Sequence, residues 1–145
     1  MKIKDCMCSD VCCAQPNTKI EEVAKMMVDY HCGCIPVCDT DQKVVGLVTD
    51  RDVILRTIAC DKDVKQTPVS EIMSCNVCCC TPNQEVEEAE KLMGQLQIRR
   101  IPVVENDKIV GIVTIGDLAK NQNVNNTEVA DTVQKICDTE QKNAE

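Results

Sequence analysis

The chain has 145 residues, enough for one compact domain or two very small ones, with a formal net charge of -8 and a pI near 4.7. That acidity excludes binding driven by Lys and Arg contacts with nucleic-acid phosphates or an anionic membrane surface. Tyr30 is the single aromatic residue, so base-stacking platforms are absent, and apolar runs such as 109–113 are far too short to span a bilayer. Residues 1–15 contain no apolar h-region, which reads as a cytosolic protein whose thirteen cysteines stay reduced.

The predicted elements run in two matching rounds. A short strand over 11–13 ends at Pro16-Asn17. A helix follows with core positions Ile20, Val23, Met27 and Tyr30, at the spacing of an amphipathic stripe. Strands over 34–38 and 44–48 come next, joined by an Asp-Thr-Asp-Gln turn, and a helix begins near Asp50. After a polar stretch ending in Thr67-Pro68, a lead-in helix over 69–73 opens the second round. It has a strand over 77–80, a helix with core positions Val86, Ala89, Met93 and Leu96, strands over 100–104 and 109–113, and a helix near Ile115. From residue 121 the chain turns polar. Val129, Val133 and Ile136 fall on one face there, which allows a weak terminal helix.

Aligning 11–39 with 77–105 gives twelve identities in 29, and 43–53 with 108–118 gives six in eleven. Eighteen of 40 is far above the roughly two or three matches expected by chance from average residue usage. The chain is a duplication of a β-α-β-β-α unit, with repeat one over 1–60, a linker over 61–68, repeat two over 69–120 and a tail over 121–145. A unit of this size buries too little apolar surface to fold alone, so the two copies need each other.

Gly33-Cys34-Ile35-Pro36-Val37 and Val45-Gly46-Leu47-Val48-Thr49-Asp50-Arg51-Asp52 recur as Arg99-Arg100-Ile101-Pro102-Val103 and Val110-Gly111-Ile112-Val113-Thr114-Ile115-Gly116-Asp117. In this pattern the chain resembles the CBS domain, whose tandem pairs are called Bateman modules, over about residues 1–120. The resemblance implies a mixed α/β fold of two repeats packed with pseudo-two-fold symmetry, and a non-enzymatic regulatory role. It implies adenine-nucleotide binding in clefts between the repeats (AMP, ADP or ATP; less often S-adenosylmethionine or NAD). It also implies a homodimer acting on an unidentified regulated protein.

Residue by residue, the resemblance makes Asp52 and Asp117 acceptors for the ribose hydroxyls and turns Thr49 and Thr114 toward the phosphate. Ile35-Pro36 and Ile101-Pro102 form one wall of each cleft. Val11, Cys13 and Ala14, and Val77, Cys79 and Cys80, form the other. Arg51 in the first copy, and Arg99 and Arg100 in the second, supply positive charge. Ile115-Gly116 replaces Asp50-Arg51, which predicts unequal sites. Each feature also has a purely structural explanation. Thr-x-x-Asp approximates a capping box, Ile-Pro is an ordinary strand start, and an exposed Arg pairs with a neighbouring carboxylate.

The cysteines offer a rival function as a metal or redox sensor, with Cys6, Cys8, Cys32 and Cys34 the best cluster. His31 is the only histidine, however, and no C-x-x-C pair occurs except within the cysteine cluster that ends at Cys80, so no metal ligand is assigned. An enzyme lacks support: no Gly-rich phosphate loop occurs, and no base-and-orienter set accompanies a cysteine nucleophile. A ligand-free dimerisation scaffold is the remaining alternative.

Overall fold

The computed structural model describes residues 1–138, which fall into two compact units. The first comprises Val11–Val77 with Asn106–Ile109, and the second Met1–Asp10, Cys78–Glu105 and residues 110–138. The first unit contains α1 (Ile20–Asp29), β1 (Cys34–Cys38), β2 (Val44–Thr49) and α2 (Asp50–Val53), which runs into a π-helical turn, Ile54–Ile58. A 3-10 turn, Val69–Glu71, completes it. The second begins with a 3-10 turn, Ile3–Asp5, followed by α3 (Val86–Leu96), β3 (Arg100–Glu105), β4 (Lys108–Thr114), α4 (Ile115–Lys120) and α5 (Asn126–Cys137).

In the first unit β1 and β2 pair antiparallel, with Ile35 opposite Val48 and Cys34 opposite Thr49. Single bridges extend the ribbon at both edges, Ala14 to Val37 in parallel and Ser74 to Leu47 antiparallel. The second unit repeats the plan, with β3 beside β4 and bridges from Cys80 to Val103 and from Cys8 to Ile112. The expected strand over 11–13 does not form, the bridge falling on the next residue, Ala14, and the strand expected over 77–80 is reduced to the single bridging residue Cys80. Pro16 and Pro82, two residues beyond those bridges, lack an N–H, so neither edge extends regularly past the bridge.

The lead-in segments are exchanged between the repeats. Val69, Ile72 and Met73, sequence neighbours of repeat two, pack into the first core with Ile20, Val23, Ile35, Val37 and Val48. Ile3, Cys6 and Met7 pack into the second with Met93, Ile101, Val103, Val113 and Leu118. Glycine permits this docking: a Cβ on Gly46 would overlap Met73 Sδ, and one on Gly111 would lie 2.7 Å from Met7 Sδ.

The stretch after α2 is also ordered by hydrogen bonds. The carbonyls of Thr67 and Val64 accept from the N–H groups of Ile20 and Glu21, satisfying donors that the first turn of α1 cannot pair internally. Two expected core positions are instead half exposed, Tyr30 and Leu96. Both lie at helix ends, where His31 (φ 51°) and Gln97 (φ 55°) turn the chain left-handed and carry those side chains off the buried stripe. In α5, Val129 and Ile136 are buried but Val133 is exposed, and Thr132 takes the inward position. The tail thus supplies a twelve-residue helix packed against α3, with the Gln97 amide donating to the carbonyl of Lys135.

Candidate functional site

Strand pleat sorts the predicted residues onto two faces. In the first unit Ala14, Ile35, Val37 and Val48 enter the core, so Cys13, Pro36 and Thr49 lie on the opposite face. In the second, Cys80, Ile101, Val103 and Val113 enter the core, leaving Cys79, Arg100, Pro102 and Thr114 opposite. The side chains of Ala14, Ile35, Cys80 and Ile101 are thus structural and offer a ligand only their backbone. The Pro36 carbonyl accepts from Ala14 N at 2.9 Å, and the Pro102 carbonyl from Cys80 N at 3.0 Å. Val11 and Val77, both partly buried, belong to the first unit.

The two Thr-x-x-Asp motifs are closed capping boxes. Thr49 Oγ1 accepts from Asp52 N at 3.1 Å while Asp52 Oδ2 accepts from Thr49 N at 3.0 Å. Thr114 and Asp117 repeat the pair at 3.0 and 2.9 Å. Each box spends one carboxylate oxygen and fixes the side chain at the strand end. The other oxygens meet different surroundings. Asp52 Oδ1 lies 3.8 Å from Arg56 Nε, whereas Asn121 occupies the matching place after Asp117. Arg56 was not among the predicted residues, although its i,i+4 spacing from Asp52 was visible in the sequence. The Arg56 guanidinium also donates to the Ile72 carbonyl at 2.8 Å.

Arg51 and Arg99 are exposed and Arg100 partly buried. Among the described residues none of the three is in an ion pair. Their charge is unspent, unlike that of a surface salt bridge. Arg51 follows Asp50, whose carboxylate accepts from Arg51 N at 2.8 Å, while Ile115 and Gly116 leave the second motif without that acid. The two repeats therefore differ in charge around the same backbone frame.

The thiols have distinct environments. The Cys13 thiol is hydrogen-bonded to that of Cys38, which lowers its pKa against the opposing effect of burial. Burial raises Cys79, and burial with neighbouring Cys78, Cys79 and Glu88 pushes Cys80 up to about 11. No three His, Cys, Asp or Glu side chains are grouped to hold a metal among the described residues. A groove of about 440 Å³ that the sequence did not reveal runs between α3 and α5, lined by Glu87, Glu90, Lys91, Glu128, Asp131 and Lys135.

Fold and site together define a tandem α/β module in which each repeat presents a capped Thr-x-x-Asp at a strand end. The CBS domain profile matches residues 3–57 and 69–123, and the chain belongs to the CBS domain family. It is 47% identical over 121 residues to the CBS domain-containing protein YhcV of Bacillus subtilis, covering 83% of this chain and 84% of that one. The CBS domain pair of protein MJ0100, solved in complex with 5′-methylthioadenosine and S-adenosyl-L-methionine, superposes with a TM-score of 0.75 at 28% identity, covering 83% and 94% of the two chains. Hypoxic Response Protein I, solved with two coordinated zinc ions, superposes at 0.77 with 27% identity, covering 83% and 98%.

Proposed function

We infer that the protein is a non-enzymatic regulatory module that binds an adenosine-containing ligand, with AMP, ADP or ATP preferred. The observation that carries this reading is the carboxylate of Asp117. Its capping bond uses one oxygen, and among the described residues the other has no hydrogen-bond partner, so it can accept from a ribose hydroxyl. Asp52 offers the same group beside Arg56. The face carrying Cys79, Arg100, Pro102 and Thr114 supplies an aliphatic wall, and Arg99 and Arg100 supply cations for a phosphate. The adenosine ligands of the MJ0100 domain pair support the same class.

Binding would shift the population of conformers read by a regulated protein. The exposed Val28, Ile54, Leu55 and Ile58 of the first unit support a homodimer, and we place the protein in the cytosol. The test is thermal denaturation with AMP, ADP, ATP, NAD, S-adenosylmethionine and 5′-methylthioadenosine. A ligand that binds only the folded state raises the melting temperature, by about 2.7 kcal/mol of stability at a hundredfold excess over Kd. A panel without any shift would leave the ligand-free scaffold as the function.

A further inference from the structure

The adenosine-binding reading leaves the groove of the second unit unused. At about 440 Å³ it lies within the roughly 300–1,000 Å³ of small-ligand sites. Its lining carries four carboxylates, Glu87 and Glu90 from α3 and Glu128 and Asp131 from α5, against the two ammonium groups of Lys91 and Lys135. Among the described residues none of the six is in an ion pair.

Glu87 and Glu128 have a local explanation, since each sits in the first turn of its helix, where the dipole favours an acid. Glu90 has none. It lies in the middle of α3 and is 5% exposed, and its Oε1 has no hydrogen-bond partner among the described residues. The Thr132 hydroxyl, which also lines the groove, donates instead to the Glu128 carbonyl at 2.9 Å. The duplication isolates this residue further. Glu21 and Lys25 of α1 match Glu87 and Lys91, but the position matching Glu90 holds Ala24. A small apolar side chain serves that position in the first repeat. A buried carboxylate without a partner is costly, and the second repeat places one where a groove gives a ligand access to it.

We propose that the groove between α3 and α5 binds a linear aliphatic diamine or polyamine, with one ammonium group paired to Glu90 and the others to Glu87, Glu128 and Asp131. An ammonium group has three donors and no acceptor, the complement of an ionised carboxylate. Burial and then the charges of Glu128 and Glu87 push the Glu90 carboxyl up, so a cation there supplies the missing donor and offsets the repulsion. No three of the acids are grouped to hold a metal ion among the described residues, whereas a chain of ammonium groups reaches acids spread over two helices. Lys91 and Lys135 repel any cation, which disfavours a ligand with a single charge. Gly94 lines the groove without a side chain and leaves space for methylene spacers.

The experiment titrates the full-length chain with spermidine, butylamine and magnesium chloride by calorimetry, at one ionic strength and without nucleotide. Spermidine should give one saturable event, butylamine should bind at least tenfold more weakly, and magnesium should not saturate the site. Glu90→Gln should weaken spermidine binding more than tenfold, the loss expected for one partner of a buried charge pair. Glu88→Gln removes the same charge from a residue outside the groove, whose carboxylate accepts from the Gln84 amide at 2.8 Å, and should bind like wild type. Glu128→Gln, at an exposed position, should also weaken binding and carries the test if Glu90→Gln does not fold. Absence of saturable spermidine binding, magnesium binding as tight as spermidine, or equal losses in Glu88→Gln and Glu90→Gln overturns the proposal. None of these outcomes depends on the adenosine-binding reading.

Discussion

Asp117 has two duties that a single atom change separates. Its Oδ2 accepts from Thr114 N at 2.9 Å, and its other oxygen is the proposed acceptor for a ribose hydroxyl. In Asp117→Asn the amide oxygen can keep the cap, while the amide nitrogen can only donate toward the ligand. A hydrogen bond to a charged group contributes about 1.5–3 kcal/mol, so AMP affinity should fall about 10- to 150-fold, at 1.4 kcal/mol per factor of ten. The unliganded protein loses only the favourable charge at the start of α4, about 0.3–1 kcal/mol. Asp117→Ala removes the cap as well and should cost a further ~1 kcal/mol of stability. Calorimetric titration with AMP and melting of the unliganded proteins read the two effects independently. The reasoning is refuted if Asp117→Asn binds AMP as tightly as wild type, or if it is destabilised as far as Asp117→Ala.

The two close-approach glycines should respond unequally to substitution. The three atoms nearest a Cβ at position 46 all belong to the movable Met73 side chain, but a Cβ at 111 also meets the Cys8 carbonyl at 3.0 Å. In chemical denaturation Gly46→Ala should cost about 1 kcal/mol and Gly111→Ala about 3 kcal/mol, the two ends of the overpacking range; equal costs would count against the exchanged lead-in packing. Glu90 is 5% exposed, and its Oε1 has no hydrogen-bond partner among the described residues. Burial first, then the charges of Glu128 and Glu87, raise its pKa above the ordinary 4.5. The folded state therefore holds this proton more tightly than the unfolded chain. Its stabilising contribution is complete below 4.5 and is lost as pH rises through the raised value. Glu90→Gln should melt higher than wild type at neutral pH, with the gap closing on acidification below that window; a gap independent of pH would exclude this origin. Cys80 is 1% exposed, with its pKa pushed up to about 11, whereas Cys60, Cys75 and Cys137 are exposed. Iodoacetamide at neutral pH should therefore label those three well before Cys80.

The hairpins and the helix starts were legible in the sequence because local pattern determines them. Val-Gly-Leu-Val-Thr and Ile-Pro-Val carry strand residues bounded by turn signals, and Thr-x-x-Asp carries its own cap. The exchange of lead-in segments was not legible. Ile3 and Val69 look alike, and no local feature says which core receives either one. Sequence order points to the wrong repeat in both cases. Tyr30 and Leu96 continue the apolar spacing beyond the point where the helix stops being straight, so periodicity alone overextended the stripe. The α5 packing rests on Gly94, where a Cβ would lie 3.1 Å from the Lys135 side chain. The first repeat has Val28 at that position, 71% exposed and without such a helix. Of the site, the residue types were readable. Pleat then assigns Ile35, Ile101, Ala14 and Cys80 to the cores.

The adenosine ligand itself offers the most direct measurement. Titrating the protein with AMP and with its 2′-deoxy and 3′-deoxy counterparts removes one hydroxyl at a time from the group that Asp52 and Asp117 are proposed to grip. At least one deoxy ligand should bind about tenfold or more weakly, the loss of a hydrogen bond to a carboxylate. The loss should vanish in a chain carrying both Asp52→Asn and Asp117→Asn. Equal affinity of the wild-type chain for all three nucleotides would contradict the assignment of these carboxylates to the sugar.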